Sequence, residues 1–325
     1  MCRRIAISVS LCLAALATAA PAAIADGLPL PVDGSDQTSV GSLDGRYRYA
    51  AVSNGDRTTV LRIDADGGAI DASHAIDGDL SVPLVAYDGT ASGISADGRT
   101  LALIVPRHTF PRPTTELRIL DADSLREQDA IRLDGDFSFD AISPNGRFLY
   151  LIHYNSANDP TDYEVRSYDV ARGALLKDPI VDPEEPDEKM TGIPQARATS
   201  ADGRWAYTLY GGGEEMFIHA LDTTGGTAVC VDLPQFNPQQ LYRLGLSVDP
   251  ASGAITVLER GRPSATVDPR SFEVSAVTPA DDGASAPTGG GADPDWLAFA
   301  AIAAGVGLLA VACALALRRH RRATA

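Results

Sequence analysis

The chain has 325 residues, 45% of them hydrophobic, with 43 acidic and 27 basic side chains and a formal net charge of -16. Six of the basic residues (Arg3, Arg4, Arg318, Arg319, Arg321 and Arg322) lie at the two ends, so 43 acidic residues face only 21 basic ones in between. Such a surface repels nucleic acid and anionic lipid, which excludes a nucleic-acid partner and favours solubility or association with cations.

From the N-terminus, Met1-Cys2-Arg3-Arg4, the apolar run Ile5 to Ala20, and Ala23-Ile24-Ala25 before Asp26 have the three parts of a secretory signal peptide. Residues 1–25 are read as that signal and Asp26 as the start of the exported chain. Cys2 and Cys12 leave with it and Cys313 lies in a later apolar segment. Cys230 is then the exported cysteine, expected as a small apolar residue of a sheet, and no intrachain disulfide is expected.

Residues 26–278 carry a repeat. Its copies are Gly41-Ser42-Leu43-Asp44-Gly45-Arg46, Ile94-Ser95-Ala96-Asp97-Gly98-Arg99, Ile142-Ser143-Pro144-Asn145-Gly146-Arg147, Thr199-Ser200-Ala201-Asp202-Gly203-Arg204, and a weaker Leu246-Ser247-Val248-Asp249 reaching Gly253. They recur roughly every 50 residues, a spacing associated with propeller blades. Asp-Gly or Asn-Gly ahead of an apolar run signals a two-residue hairpin turn with positive φ at both positions. The runs that follow are Tyr47 to Val52, Leu101 to Val105, Phe148 to His153, Trp205 to Tyr210 and Ile255 to Leu258. A second landmark, an apolar residue and aspartate closing a strand, falls at Ile63-Asp64, Leu120-Asp121, Tyr168-Asp169, Leu221-Asp222 and Val267-Asp268. With a final short strand, each copy yields four antiparallel strands. The repeated Asp44, Asp97, Asn145, Asp202 and Asp249 are read as structural turn residues.

Ser-x-Asp-Gly-Arg before an apolar strand, followed by an aliphatic-Asp turn, resembles the repeats of the YVTN-type and WD-like β-propeller families over about residues 38–278. The resemblance implies an all-β propeller of about five four-stranded blades, with room for a sixth in residues 26–37, where Leu28 to Val32 could supply an edge strand. Such propellers serve as binding modules, assembly scaffolds and some hydrolases.

Tight turns are expected at one end of each blade and long loops at the other, where binding residues tend to concentrate. Of these loops, Pro106 to Thr114 holds Arg107, His108, Phe110 and Arg112, a basic and aromatic patch suited to an anionic ligand or acidic partner. The plainer reading is a proline-rich loop with solvated arginines. His153 and Tyr154 end a central strand and could line a channel mouth, or be structural. The acidic run Asp182, Glu184, Glu185 and Asp187 offers the carboxylate oxygens that calcium takes; a solvated loop is its plainer reading, and no cofactor is otherwise expected. His219 is expected to face a neighbouring blade. No nucleophile elbow, zinc-protease helix or phosphate loop occurs.

Residues 279–295 read as a flexible linker by composition. Residues 296–317 carry no charge and at about 1.5 Å rise per residue span roughly 33 Å, enough for a membrane helix. The arginines of the tail, residues 318–325, then place the C-terminus in the cytoplasm. Ser285-Ala286-Pro287-Thr288-Gly289 resembles an LAxTG-type sorting signal cut by sortases, an alternative fate for the anchor. Together these features describe a membrane-held extracytoplasmic propeller that binds an envelope protein or small ligand through its long-loop face. The alternative is a propeller hydrolase or lactonase with a carboxylate or calcium site in its central channel.

Overall fold

The computed structural model describes residues 39–277 apart from 188 and 212–214, together with β1 (Ala23–Ile24) and β2 (Pro31–Val32). The linker, the segment 296–317, the tail and all of the signal segment but residues 23–24 lie outside these residues. Among the described residues no helix is long and apolar enough to cross a membrane.

The apolar runs pair as expected into five successive antiparallel meanders. Sheet I is β3 (Ser39–Gly41), β4 (Tyr47–Ser53), β5 (Arg57–Asp64) and β6 (Ile70–Asp77). Sheet II is β7 (Thr100–Ile104), β8 (Thr114–Asp121) and β9 (Glu127–Asp134). Sheet III is β10 (Phe137–Ile142), β11 (Phe148–Tyr154), β12 (Tyr163–Asp169) and β13 (Ala174–Ile180). Sheet IV is β14 (Ile193–Thr199), β15 (Trp205–Gly211), β16 (Phe217–Asp222) and β17 (Thr227–Asp232). Sheet V is β18 (Leu244–Val248), β19 (Ile255–Glu259), β20 (Arg262–Val267) and β21 (Val274–Ala276). Buried clusters join I to II, II to III, III to IV and IV to V, so each sheet is covered by its successor in the chain. The all-β architecture of four-stranded antiparallel sheets in chain order is consistent with a β-propeller.

Sheet II departs from four full strands. Its expected first strand is reduced to a single bridge, Ile94 to Leu101. Gly93, at φ +117, sits where a side chain would meet the Ala102 carbonyl at 2.6 Å, and this bend breaks the run. Ser81 pairs instead with Ile104 at the other end of β7, through bonds of 2.9 and 3.0 Å. The segment considered for a sixth blade contributes only the β1–β2 pair, a sheet of its own.

The turn chemistry also differs from the expectation in one respect. In the first four copies only the glycine has positive φ: Gly45, Gly98, Gly146 and Gly203 lie at +72, +69, +70 and +71. Each glycine N–H bonds the carbonyl of the serine three residues back, so Asp occupies an ordinary turn position and glycine alone closes the hairpin. The serine hydroxyl bonds the carboxylate at 2.6 Å in the Asp44, Asp97 and Asp202 copies, and the Asn145 amide oxygen at 3.0 Å. The Ser42 hydroxyl, with the Arg46 N–H, holds the Asp44 carboxyl below its usual range, and Ser200 does the same for Asp202. Asp249 behaves differently: its carboxylate accepts from the Ala251 and Ser252 N–H groups, the pattern that Asp64, Asp222 and Asp268 show at the second landmark.

Candidate functional site

In an antiparallel meander the first and third connections fall at one end and the second at the other, together with the crossing to the next sheet. The first group is the set of tight turns just described. Long connections at the opposite end include residues 105–113 and 155–162 and the crossings 78–93, 181–192 and 233–243. The second connections within sheets I and V are short, residues 54–56 and the pair Arg260-Gly261, where both residues have positive φ.

The loop 105–113 turns two of its cations inward. Arg107 is 2% exposed, donating from Nε to Asp136 Oδ1 at 3.0 Å and from Nη2 to Ser138 Oγ at 2.9 Å. Arg112, also buried, bonds Asp136 Oδ2 through its backbone N–H at 3.0 Å, the Val105 carbonyl through Nη1 at 2.6 Å, and the Phe137 carbonyl through Nη2. Two guanidiniums therefore flank one buried carboxylate, an arrangement that fixes the loop. The reading of solvated arginines does not hold. Arg107 lies over the Tyr154 ring at 4.7 Å and the Phe110 ring at 5.7 Å. His108 points away, exposed, with Nε2 at 3.4 Å from Asp79. His153 stacks on Phe137 at 4.4 Å, with Nδ1 3.5 Å from Glu164.

Of the predicted residues the structure therefore gathers Arg107, Phe110, Arg112 and Tyr154 around Asp136, and leaves His108 outside. From this group an aromatic row crosses three sheets: Phe110 to Tyr154 at 5.4 Å, Tyr154 to Tyr163 at 6.1 Å, Tyr163 to Tyr210 at 6.2 Å, and Tyr210 to Phe217 at 5.4 Å. Burial pushes the Tyr163 and Tyr210 hydroxyls well above the usual tyrosine range.

The row ends at a cavity of about 370 Å³ between sheets III and IV. Tyr163, Val165, Ile180 and Phe217 give it apolar walls; Asp162, Glu164, Asp182, Glu185, Asp187, Glu215 and Asp232 give it carboxylates, against Lys189. Alternation along β16 turns His219 toward sheet III, as expected, and opposite it in register lies Cys230 on β17. Cys230 lines the cavity and is only partly buried, not packed inside a sheet as expected. His219 is 2% exposed and its ring makes no hydrogen bond to a described residue. Burial, with Asp140 and Asp182 opposing it, lowers its pKa to about 4, so the imidazole is neutral near pH 7. A buried polar atom without a partner costs about 1–3 kcal/mol.

Asp182 Oδ1 accepts from the Glu184 N–H at 2.9 Å and Oδ2 from the Cys230 N–H at 2.9 Å. Among the described residues no three His, Cys, Asp or Glu side chains come together as metal ligands. Near the first strands, Asp140 is buried and paired with Arg197, while loop residues Tyr87 and Asp88 bond the β14 carbonyls of Pro194 and Gln195 at 2.9 and 3.0 Å.

No family model matches the chain, and no curated protein matches it. Among solved structures it is similar to TolB from Acinetobacter baumannii (13% identity over 73% of this chain and 55% of that one, TM-score 0.39). A functionally unknown protein from Desulfotomaculum acetoxidans matches at 13% identity over 77% and 71%, with a TM-score of 0.46. The acylaminoacyl peptidase of Pyrococcus horikoshii matches at 13% over 74% and 38%, with a TM-score of 0.41. The chain thus spans about half of that TolB and less of the peptidase. Likeness at this level assigns this chain neither a family nor an activity.

Proposed function

We propose that the chain is an exported β-propeller, held at a cell membrane by residues 296–317, that binds a protein partner or small ligand through its long-loop end. The observation that carries the reading is the cavity of about 370 Å³ at that end, walled by loops from sheets III and IV. Its volume lies at the lower end of the range of sites for small molecules. Support for the location comes from the sequence: a signal-like N-terminus, an uncharged 22-residue segment and an arginine-rich tail agree on one topology. At the same end, the 105–113 loop of sheet II is held by Arg107 and Arg112 on the buried Asp136, preorganisation that suits a binding face.

Site-specific photo-crosslinking on the membrane-held chain tests this. Probes at Asp187 or Glu215 are expected to capture a partner, and probes at the turn residues Asp44 or Asp202 are not. Adducts arising only from the turn end would overturn the assignment of the face. Recovery of the chain wholly in the soluble fraction would overturn the anchor.

A further inference from the structure

We propose that the cavity between sheets III and IV recognises an organic cation, an ammonium or guanidinium group carried on an apolar stem. The proposal rests on the long-loop end being the binding face and names the chemistry of what enters there.

Charge comes first. Asp162, Glu185, Asp187, Glu215 and Asp232 line the cavity and their side chains make no hydrogen bond or ion pair with a described residue, whereas Glu164 is engaged by Arg166 and Asp182 by backbone N–H groups. Lys189 is the one lysine or arginine among the lining residues. An anion would meet uncompensated repulsion, while a cation would gain from every rim carboxylate. The apolar walls argue for an organic cation over a bare metal ion: the Tyr163, Val165, Ile180 and Phe217 side chains that line the cavity suit an aliphatic or aromatic stem, and aromatic rings also attract cations. Spread around the rim, the carboxylates act at range, and no three of them converge among the described residues as inner-sphere metal ligands would.

The second and independent observation is His219. Its buried imidazole lines the cavity without a hydrogen bond to any described residue. A neutral ring in that position has a nitrogen lone pair to offer an incoming N–H donor. A bound ammonium would place its charge among the carboxylates and give the ring a partner.

Calorimetric titration of the full-length chain in detergent with benzylammonium tests the proposal, with benzyl alcohol as the neutral isostere and acetylated lysine amide as the side-chain form of the cation. Saturable binding of at least one cation is expected, and none of the alcohol. Tighter binding of benzylammonium would identify a free amine as the source; tighter binding of the lysine amide would identify a basic side chain of a partner. The triple variant D187N/E215Q/D232N, altered only at exposed rim positions, should weaken binding by at least about tenfold. In the wild type the ring resonances of His219 should move on titration. Equal binding of the alcohol, unchanged affinity in the triple variant, or no saturable binding of either cation would overturn the proposal. If the cations fail while Asp187 and Glu215 probes still capture a partner, the cation chemistry falls and the face assignment stands.

Discussion

Acidification should expose the cost of keeping His219 neutral. An unfolded chain takes up the proton near the ordinary histidine value of 6.5, whereas the folded chain resists it until about pH 4, because burial outweighs the attraction of Asp140 and Asp182. Between those values the unfolded state binds more protons, so the stability associated with neutral His219 is present above the unfolded pKa and is lost as the pH falls. At 1.36 kcal/mol per unit the full shift corresponds to about 3 kcal/mol, of which about 2 kcal/mol should be gone at a pH of roughly 4.5. Urea unfolding of the wild type and of His219→Gln, each at about pH 7 and about pH 4.5, isolates the effect, because carboxylates with lowered pKa, such as Asp222, contribute equally to both proteins. The stability difference between the two proteins should shift by about 2 kcal/mol in favour of the variant on acidification. A difference that stays constant within about 0.5 kcal/mol would refute the buried, neutral assignment.

Asp136→Asn leaves the Arg107 and Arg112 guanidiniums without their shared carboxylate, and equilibrium unfolding should show a loss of about 3–5 kcal/mol; a loss below about 1 kcal/mol would contradict the clamp. Gly203→Ala places a methyl group 2.5 Å from the Ala96 side chain at φ +71, whereas Gly45→Ala at φ +72 enters open space. Denaturant midpoints should therefore show Gly45→Ala costing about 1–2 kcal/mol from backbone strain alone, and Gly203→Ala costing more. Equal costs would contradict the packing of the first hairpin of sheet IV against sheet II.

The parts of this architecture legible in the sequence are those encoded locally. Ser42, Asp44 and Gly45 close their hairpin within five residues, and the same spacing returns at Ser95, Ser143 and Ser200, so four hairpins could be placed from pattern alone. The backbone angle at the aspartate could not, because Asp-Gly suits more than one turn type and only the hydrogen bond from glycine back to serine distinguishes them. Arg107 and Arg112 read as surface charge on a proline-rich loop; their burial depends on Asp136, more than twenty residues away, and on the carbonyls of Val105 and Phe137. Asp136 itself carried no signal beyond a short polar break before β10. The aromatic row was invisible for a related reason: Tyr154 and Tyr163, and Tyr210 and Phe217, are register partners within sheets III and IV, but the row joins up only when Phe110 reaches Tyr154 from sheet II and Tyr163 meets Tyr210 across the sheets. His219 was expected to face a neighbouring blade, but its place in a strand cannot say that the facing surface is hollow. The acidic run 182–187 showed its charge in the sequence and not its geometry, since one carboxylate is engaged by the Glu184 and Cys230 N–H groups while others open onto the cavity.

The most direct test of the binding-face account is hydrogen exchange on the full-length chain with and without saturating benzylammonium. Binding in the cavity between sheets III and IV predicts slowed exchange in residues 155–165, 181–191 and 215–219, with the tight turns at residues 42–47 and 95–100 unchanged. Protection confined to the turn end, or none in those three segments despite saturable binding, would contradict it.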